Sequence, residues 1–355
     1  MMQQVDVLVI GLGPAGSAAA AAAAQGGLSV LAVERRKAIG LPVQCAEFIP
    51  LPMGKYAQAE GVLRQKITGM KSYLPSGAVV DTHFPGLMID RAAFDQALAA
   101  EAQQHGASLL LDSRLTALDT VQSIATIRTP DGEISVQYQL LVAADGPESP
   151  VAKAMGLPDM AVVSTRQYTV PLKREYADTD IWLSPDYPGG YAWLFPKGDQ
   201  ANLGLGLDKR FSGDMKAPLD ELHRQLMAQD LVGSEISYRT GGAIPVGGLR
   251  TNLVVGKVLF TGDAAGLTHP ITGAGIAAAV ISGERAGQAA VAALLQRDPA
   301  ALADFEEDIR DQFEVAVTRA VERRLWLDNF WNTDEAQTDP LHRKSWIAFP
   351  DYFAA

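Results

Sequence analysis

The chain opens on a nearly unbroken apolar run, Val5 to Ile10, that stops at Gly11. A run of this kind, bounded by a glycine turn, predicts a strand buried on both faces of a parallel sheet. The next stretch, Pro14 to Gln25, is mostly alanine, has no breaker after Gly16, and meets Gly26-Gly27 at its end. Alanine is the best helix former, proline suits a first helical turn and glycine stops the last one, so a helix is predicted here. Leu28 to Val33 predicts a second strand that closes at Glu34. The four pieces make a strand–turn–helix–strand unit of about 30 residues.

Further on, Phe94, Leu98 and Ala102 recur at helical spacing between Arg91 and His105, and Gly106 closes the helix. Strand-like pieces follow at 108–111, 115–119 and 123–128, with a turn at Pro130-Asp131-Gly132. Leu140 to Ala144 predicts another buried strand, ending at Asp145-Gly146. After Pro158 the pattern changes to alternation, aromatics and glycine pairs, with one helical segment near 216–229, which predicts an antiparallel sheet. The first pattern then returns. Val258-Leu259-Phe260 feeds Gly262-Asp263, a small-residue helix runs from Gly275 to Leu295, and a charged helix covers 299–325. The last stretch, 326–355, is a tail rich in aromatics.

This order predicts an α/β fold in which a discontinuous Rossmann-like nucleotide-binding domain is interrupted by an antiparallel β-sheet substrate domain and followed by C-terminal helices. Its nucleotide-binding parts are drawn at 1–75, 91–158 and 251–298. The sheet domain takes strands from 76–90 and the whole of 159–250, and 299–355 forms the C-terminal helix and tail.

Composition mainly excludes. A formal charge of −11 repels phosphate backbones, so no nucleic-acid partner is expected. It also opposes electrostatic attachment to anionic lipid, while leaving peripheral apolar contact with a membrane open. The single cysteine, Cys45, excludes an internal disulfide framework, and the five histidines lack ligand-like spacing, so no metal site is expected. The tract Ala15 to Ala24 is too short to span a bilayer, and no basic leader precedes the first strand, so the expected location is cytoplasmic with no transmembrane segment.

The chemistry begins at Gly11-Leu12-Gly13-Pro14-Ala15-Gly16, between a strand and a helix. Gly11 permits the tight turn, Gly13 lets backbone approach a pyrophosphate, and Gly16 lets helix and strand pack closely. The N–H groups and dipole at the helix start, around Pro14 and Ala15, suit the diphosphate. Glu34, 23 positions after Gly11, ends the second strand where a carboxylate can accept ribose hydroxyls, with Arg35 beside it. A lone GxGxxG would also suit NAD. Two later strands, ending in Asp145-Gly146 and in Gly262-Asp263, favour FAD instead, because Asp263 can accept a hydroxyl of the ribityl chain. The run Pro270 to Gly275 then opens a helix whose dipole would face the flavin edge where negative charge collects on reduction.

In this order the motifs GLGPAG, Glu34, Arg91, AADGPES and FTGDAAGLTHPITGAGI resemble the FAD-dependent oxidoreductases of the p-hydroxybenzoate hydroxylase fold. Within that fold, Gly190 to Lys197 and Asn202 to Gly206 are similar to the geranylgeranyl reductase family. The resemblance covers about residues 4–295. It implies an extended FAD reached by Arg91 and Asp263, with Gly273, Ala274 and Gly275 at the flavin ring. Ala274 stands where many relatives carry Glu or Gly. It also implies that Cys45 and Glu47 lie beside the flavin, as proton donor or acid, against the plainer reading of Cys45 as a small buried hydrophobe. Tyr191, Trp193 and Phe195 alternate along one strand face and become candidates for the wall of a substrate cavity.

Three functions fit these motifs. The first is reduction of a carbon–carbon double bond in an apolar, isoprenoid-like substrate. The second is hydroxylation, with a peptide or protein residue among its targets. The third is delivery of electrons to a protein partner in cofactor assembly. No second GxGxxG unit is present, so NAD(P)H, if it serves as donor, binds transiently at the flavin.

Overall fold

The computed structural model describes residues 2–354. Its first sheet is built on the predicted apolar runs. Met2–Ile10 lies between Val30–Val33 and Gly132–Ala143, with Ser108–Leu110 and Val258–Phe260 outside them, these five strands all parallel to one another. Register decides what these strands can do together. Ile10 pairs with both Val33 and Ala143, and Ala143 pairs with Phe260. The strands therefore end level, and the turns that follow them meet at one edge: the glycine turn, Glu34, Asp145-Gly146 and Gly262-Asp263. In open α/β sheets this carboxyl edge is where ligands bind.

The alanine helix, Pro14–Gln25, is sandwiched between this sheet and the helix Ile276–Leu294. A Cβ added to Gly283 would lie 2.1 Å from the Ala15 carbonyl oxygen, and one on Gly287 would lie 2.6 Å from that of Ala19. Only small residues let the two backbones approach this closely, which explains the alanine and glycine of both segments. Among the described residues no helix is long and apolar enough to cross a membrane.

The second sheet runs in the order Tyr238–Thr240, Val162–Pro171, Gln200–Leu207, Ala192–Lys197, Asp178–Trp182, Gly69–Tyr73, Val79–Thr82. All these pairs are antiparallel except Gly69–Tyr73 with Asp178–Trp182, which is parallel. Gly69–Tyr73 thus joins the second sheet, although the boundary expected at residue 75 groups it with the nucleotide-binding part. A parallel partner more than 100 residues away leaves no local pattern to read. The helix Lys216–Ala228 packs Leu219, Leu222 and Leu226 on the outer face. A small third sheet joins Phe48–Pro50, Gly86–Ile89 and Leu63–Ile67.

The charged helix is Ala301–Asp328, and the tail beyond it folds into short turns. Trp346, Phe349 and Tyr352 are buried. Trp346 and Phe349 pack in one cluster with Trp193 and Ile181 of the second sheet, against the inner face opposite Lys216–Ala228.

Candidate active site

The glycine turn is shaped by contacts that no other residue tolerates. Gly11 has φ +98°, and a Cβ there would lie 2.4 Å from the Ala144 carbonyl oxygen. A Cβ on Gly16 would fall 1.8 Å from the Gly11 oxygen, whereas one on Gly13 would meet nothing within 4 Å. The first two glycines are closed in by the chain itself, and Gly13 faces open space at the start of a helix with no side-chain cap. Glu34 supports this turn: its Oε2 accepts from the Leu12 N–H at 2.9 Å and its Oε1 from the Arg36 N–H at 2.9 Å. Arg35 is exposed, while Arg36 turns back to the Pro42 carbonyl and to Gln44 Oε1.

The two acids of the other strand ends are engaged differently. Asp145 accepts from Ser149 Oγ at 2.7 Å and from the Val151 N–H at 2.8 Å, so it caps the helix that follows. Gly146 beside it has φ +87° and open space where a side chain would be. Asp263 accepts from Thr268 Oγ1 at 2.5 Å. Burial pushes both carboxyls above the usual range. Pro270 to Gly275 form a loop rather than a helical turn, and the helix begins at Ile276 without a side-chain cap. Gly273 has φ +68°, and His269 closes the loop by donating its N–H to the Ala274 carbonyl at 3.0 Å.

A dinucleotide carrying a flavin fits this edge. The structure holds an uncapped helix start with room over Gly13, a carboxylate at the end of the second strand, and a second uncapped helix start behind the loop at Gly273. Uncapped N–H groups suit phosphate at one end and a ring that gathers negative charge at the other.

The turn Cys45-Ala46-Glu47 closes the other side. Cys45 is half-buried, its Sγ accepts the Glu47 N–H at 3.2 Å, and Glu47 has φ +71°. Burial pushes the thiol above its ordinary range, against the opposing pull of the Arg91 guanidinium, so the thiol keeps its proton at neutral pH. Arg91 itself pairs with Asp95 at 2.7 Å. The Glu47 carboxylate accepts from the Arg91 N–H at 2.8 Å, Lys197 Nζ at 2.5 Å and Asn202 Nδ2 at 2.7 Å. The carbonyl of Cys45 accepts from Gln167 Nε2 at 3.0 Å, and that of Ala46 from Asn202 Nδ2 at 3.3 Å.

Three aromatic residues, Trp193 and Phe195 on the second sheet and Tyr191 just before its strand, pack with Ala46 of this turn. The rings of Tyr191 and Trp193 lie 5.7 Å apart, and Phe195 meets Phe48 at 6.0 Å. Tyr191 donates its hydroxyl to the Thr272 carbonyl at 2.5 Å, which ties the wall to the loop at Gly273. Trp346 of the tail covers Tyr191 at 4.8 Å, and the cavity left between them is about 30 Å³, room for about one water. The sequence reading did not single out Gln167, Asn202, Lys197 or Trp346 for this place. Lys197 and Asn202 fall inside the motif that carries the family resemblance, Trp346 belongs to the aromatic tail, and Gln167 gave no signal.

Comparisons with known proteins agree on both halves of the chain. A family model for FAD-dependent oxidoreductases matches residues 6–145, and one for the geranylgeranyl reductase catalytic domain matches residues 161–242. Digeranylgeranylglycerophospholipid reductase 1 of Methanopyrus kandleri is 34% identical over 334 residues, covering 88% of this chain and 89% of that protein. Digeranylgeranylglycerophospholipid reductase of Methanosarcina acetivorans is 31% identical over 360 residues, covering 95% and 87%. A solved geranylgeranyl bacteriochlorophyll reductase-like protein from Thermoplasma acidophilum superposes with a TM-score of 0.89 at 28% identity, covering 97% of this chain and 92% of that one.

Proposed function

Because the chain belongs to the geranylgeranyl reductase family of FAD-dependent oxidoreductases, we propose that it reduces carbon–carbon double bonds in the isoprenoid chain of a lipid, with the reaction centred between Cys45 and the loop at Gly273. The observation that carries this reading is the apolar wall of Tyr191, Trp193 and Phe195, set against a half-buried, protonated thiol at the carboxyl edge of the nucleotide-binding sheet.

In this reading Gly11, Gly13, Gly16 and the helix start at Pro14-Ala15 would hold the pyrophosphate, Glu34 the ribose, and Asp263 the ribityl chain. Arg91 and the loop Pro270, Gly273, Ala274, Gly275 would border the ring. Asp145 supports the edge by capping the next helix, and Gly146 leaves room beside it. FAD, bound there and reduced, would supply the hydride equivalent for one alkene carbon. The other carbon takes a proton from the Cys45 thiol, and solvent returns a proton to the sulfur, so each double bond gains two hydrogens. The aromatic wall excludes water and lays the chain across the site. Glu47 is then a holder of the turn rather than the acid, since its two oxygens already accept three hydrogen bonds, one from an ammonium group.

The test is anaerobic turnover of reduced holoenzyme with a geranylgeranyl glycerolipid, followed by mass spectrometry. Addition of two hydrogens per double bond is the expected product. A hydroxylated product formed only with oxygen would replace this reading with a monooxygenase.

A further inference from the structure

The turn that carries the thiol is held by groups outside itself, and its side-chain donors all stand on the second sheet. Gln167 lies on Val162–Pro171, Lys197 ends Ala192–Lys197, and Asn202 lies on Gln200–Leu207. Register places three residues in one row across these strands: Gln167 pairs with Gly204, and Gly204 pairs with Trp193. Residues directly opposite one another share a face of the sheet. A Cβ on Gly204 would lie 2.4 Å from Trp193 Cζ2, so the absence of a side chain there lets the indole lie across the row. The indole reaches its far end: Trp193 Nε1 donates to Gln167 Oε1 at 3.1 Å. The same amide donates from Nε2 to the Cys45 carbonyl at 3.0 Å. Gln167 is 4% exposed, so neither bond has water as a ready substitute.

An amide is suited to this link because one end accepts and the other donates across a rigid plane. The two bonds also assign its orientation, since the flipped amide would set two donors against each other at Trp193 and two acceptors at Cys45. We infer that Gln167 is a positioning residue that couples the cavity-wall indole of Trp193 to the turn bearing the Cys45 thiol. A chain lying against Trp193 therefore sets the thiol's position through Gln167, although Gln167 itself touches no reacting atom. This rests on the reading above, in which the apolar substrate lies along the aromatic wall that includes Trp193, with the reaction between Cys45 and the loop at Gly273.

The chain's single cysteine makes the coupling directly measurable. Alkylation of Cys45 by iodoacetamide is followed by intact mass in FAD-loaded protein for wild type, Gln167→Met, Gln167→Glu, Trp193→Phe and the double variant Gln167→Met/Trp193→Phe. Gln167→Met loses both buried hydrogen bonds of the amide and the other two single variants lose one each; breaking the link at either bond is expected to speed alkylation about tenfold through looser closure of the turn. The double variant should be no faster than Gln167→Met, because both changes break one link. Gln167→Glu keeps the acceptor for Trp193 but cannot donate to Cys45, so it should behave as Gln167→Met does. With the lipid, kcat should fall while KM stays near wild type. Unchanged alkylation in FAD-loaded variants, or effects that multiply in the double variant, would overturn the inference. Coupled alkylation in a protein that reduces no isoprenoid would uphold the inference and remove the substrate reading instead.

Discussion

Replacing Lys197 by methionine leaves the Glu47 carboxylate without its ammonium partner in a place that water barely reaches. The side chains are 15% and 3% exposed, and the contact is 2.5 Å. Removing one partner of a buried ion pair costs about 3–5 kcal/mol, because the remaining charge stays desolvated. Here the carboxylate keeps the Arg91 N–H and Asn202 Nδ2 as donors, and hydrogen bonds to a charged group offset part of that loss, so about 2–3 kcal/mol is expected. For 355 residues the entropy of unfolding is about 0.7 kcal/mol per degree, which translates to a fall in Tm of about 3–4 °C. The assay is differential scanning calorimetry on wild type, Lys197→Met, Glu47→Gln and the double variant, at low and high salt. Removing both charges leaves no unpaired ion, so the double variant should recover most of the loss. The shift should also change little with salt, because buried pairs are weakly screened. A double variant that loses the sum of both single effects would refute the argument, since the two groups would then not be acting on each other.

Other expectations follow from single contacts. Gly16→Ala places a Cβ 1.8 Å from the Gly11 oxygen, so the purified variant should lack flavin absorbance while keeping the far-ultraviolet circular dichroism of the fold. Cys45→Ala should retain FAD and lose turnover by about a hundredfold or more, the range typical of general acid catalysis; unchanged turnover would return the cysteine to packing alone. Burial holds His269 down at about 4, so the unfolded chain binds its proton first as pH falls. Its contribution is complete above about 6.5 and is lost as pH drops from there toward 4. The Tm difference between wild type and His269→Asn should therefore narrow across that window, and a difference that does not depend on pH would contradict the assignment. Trp346→Ala removes a buried ring from the tail that covers Tyr191. It should lower stability by about 3 kcal/mol and change KM for the lipid more than it changes FAD content.

The local elements were legible because their causes are local. The alanine run could only be a helix, and the apolar run before Gly11 only a buried strand, since propensity and period act over a few neighbouring residues. The glycine turn and the strand-ending acids could be read for the same reason, as each belongs to the segment that bears it. That the turns at Gly11, Glu34, Asp145 and Asp263 share one edge depends on register between strands up to 250 residues apart, for which order along the chain is only a guide. The parallel pairing of Gly69–Tyr73 had no local trace at all. The aromatic tail left core, cover and partner surface open, with packing on the chain's own surface the plainer reading, because burial depends on what a side chain meets rather than on what it is. The structure packs Trp346 and Phe349 on the wall at Tyr191.

The reacting end of the site shows the division most clearly. The sequence by itself determined that Cys45 is the only thiol, that the chain carries a nucleotide-binding glycine turn, and that Tyr191, Trp193 and Phe195 alternate along one segment. Only the tertiary structure decided which groups hold that thiol in place. The Glu47 carboxylate receives Lys197 from 150 positions away, and Gln167 reaches Cys45 across 122. Hydrogen bonds between side chains act over about 3 Å in space and carry no signal along the chain. Their partners exist only once the two sheets have packed against one another.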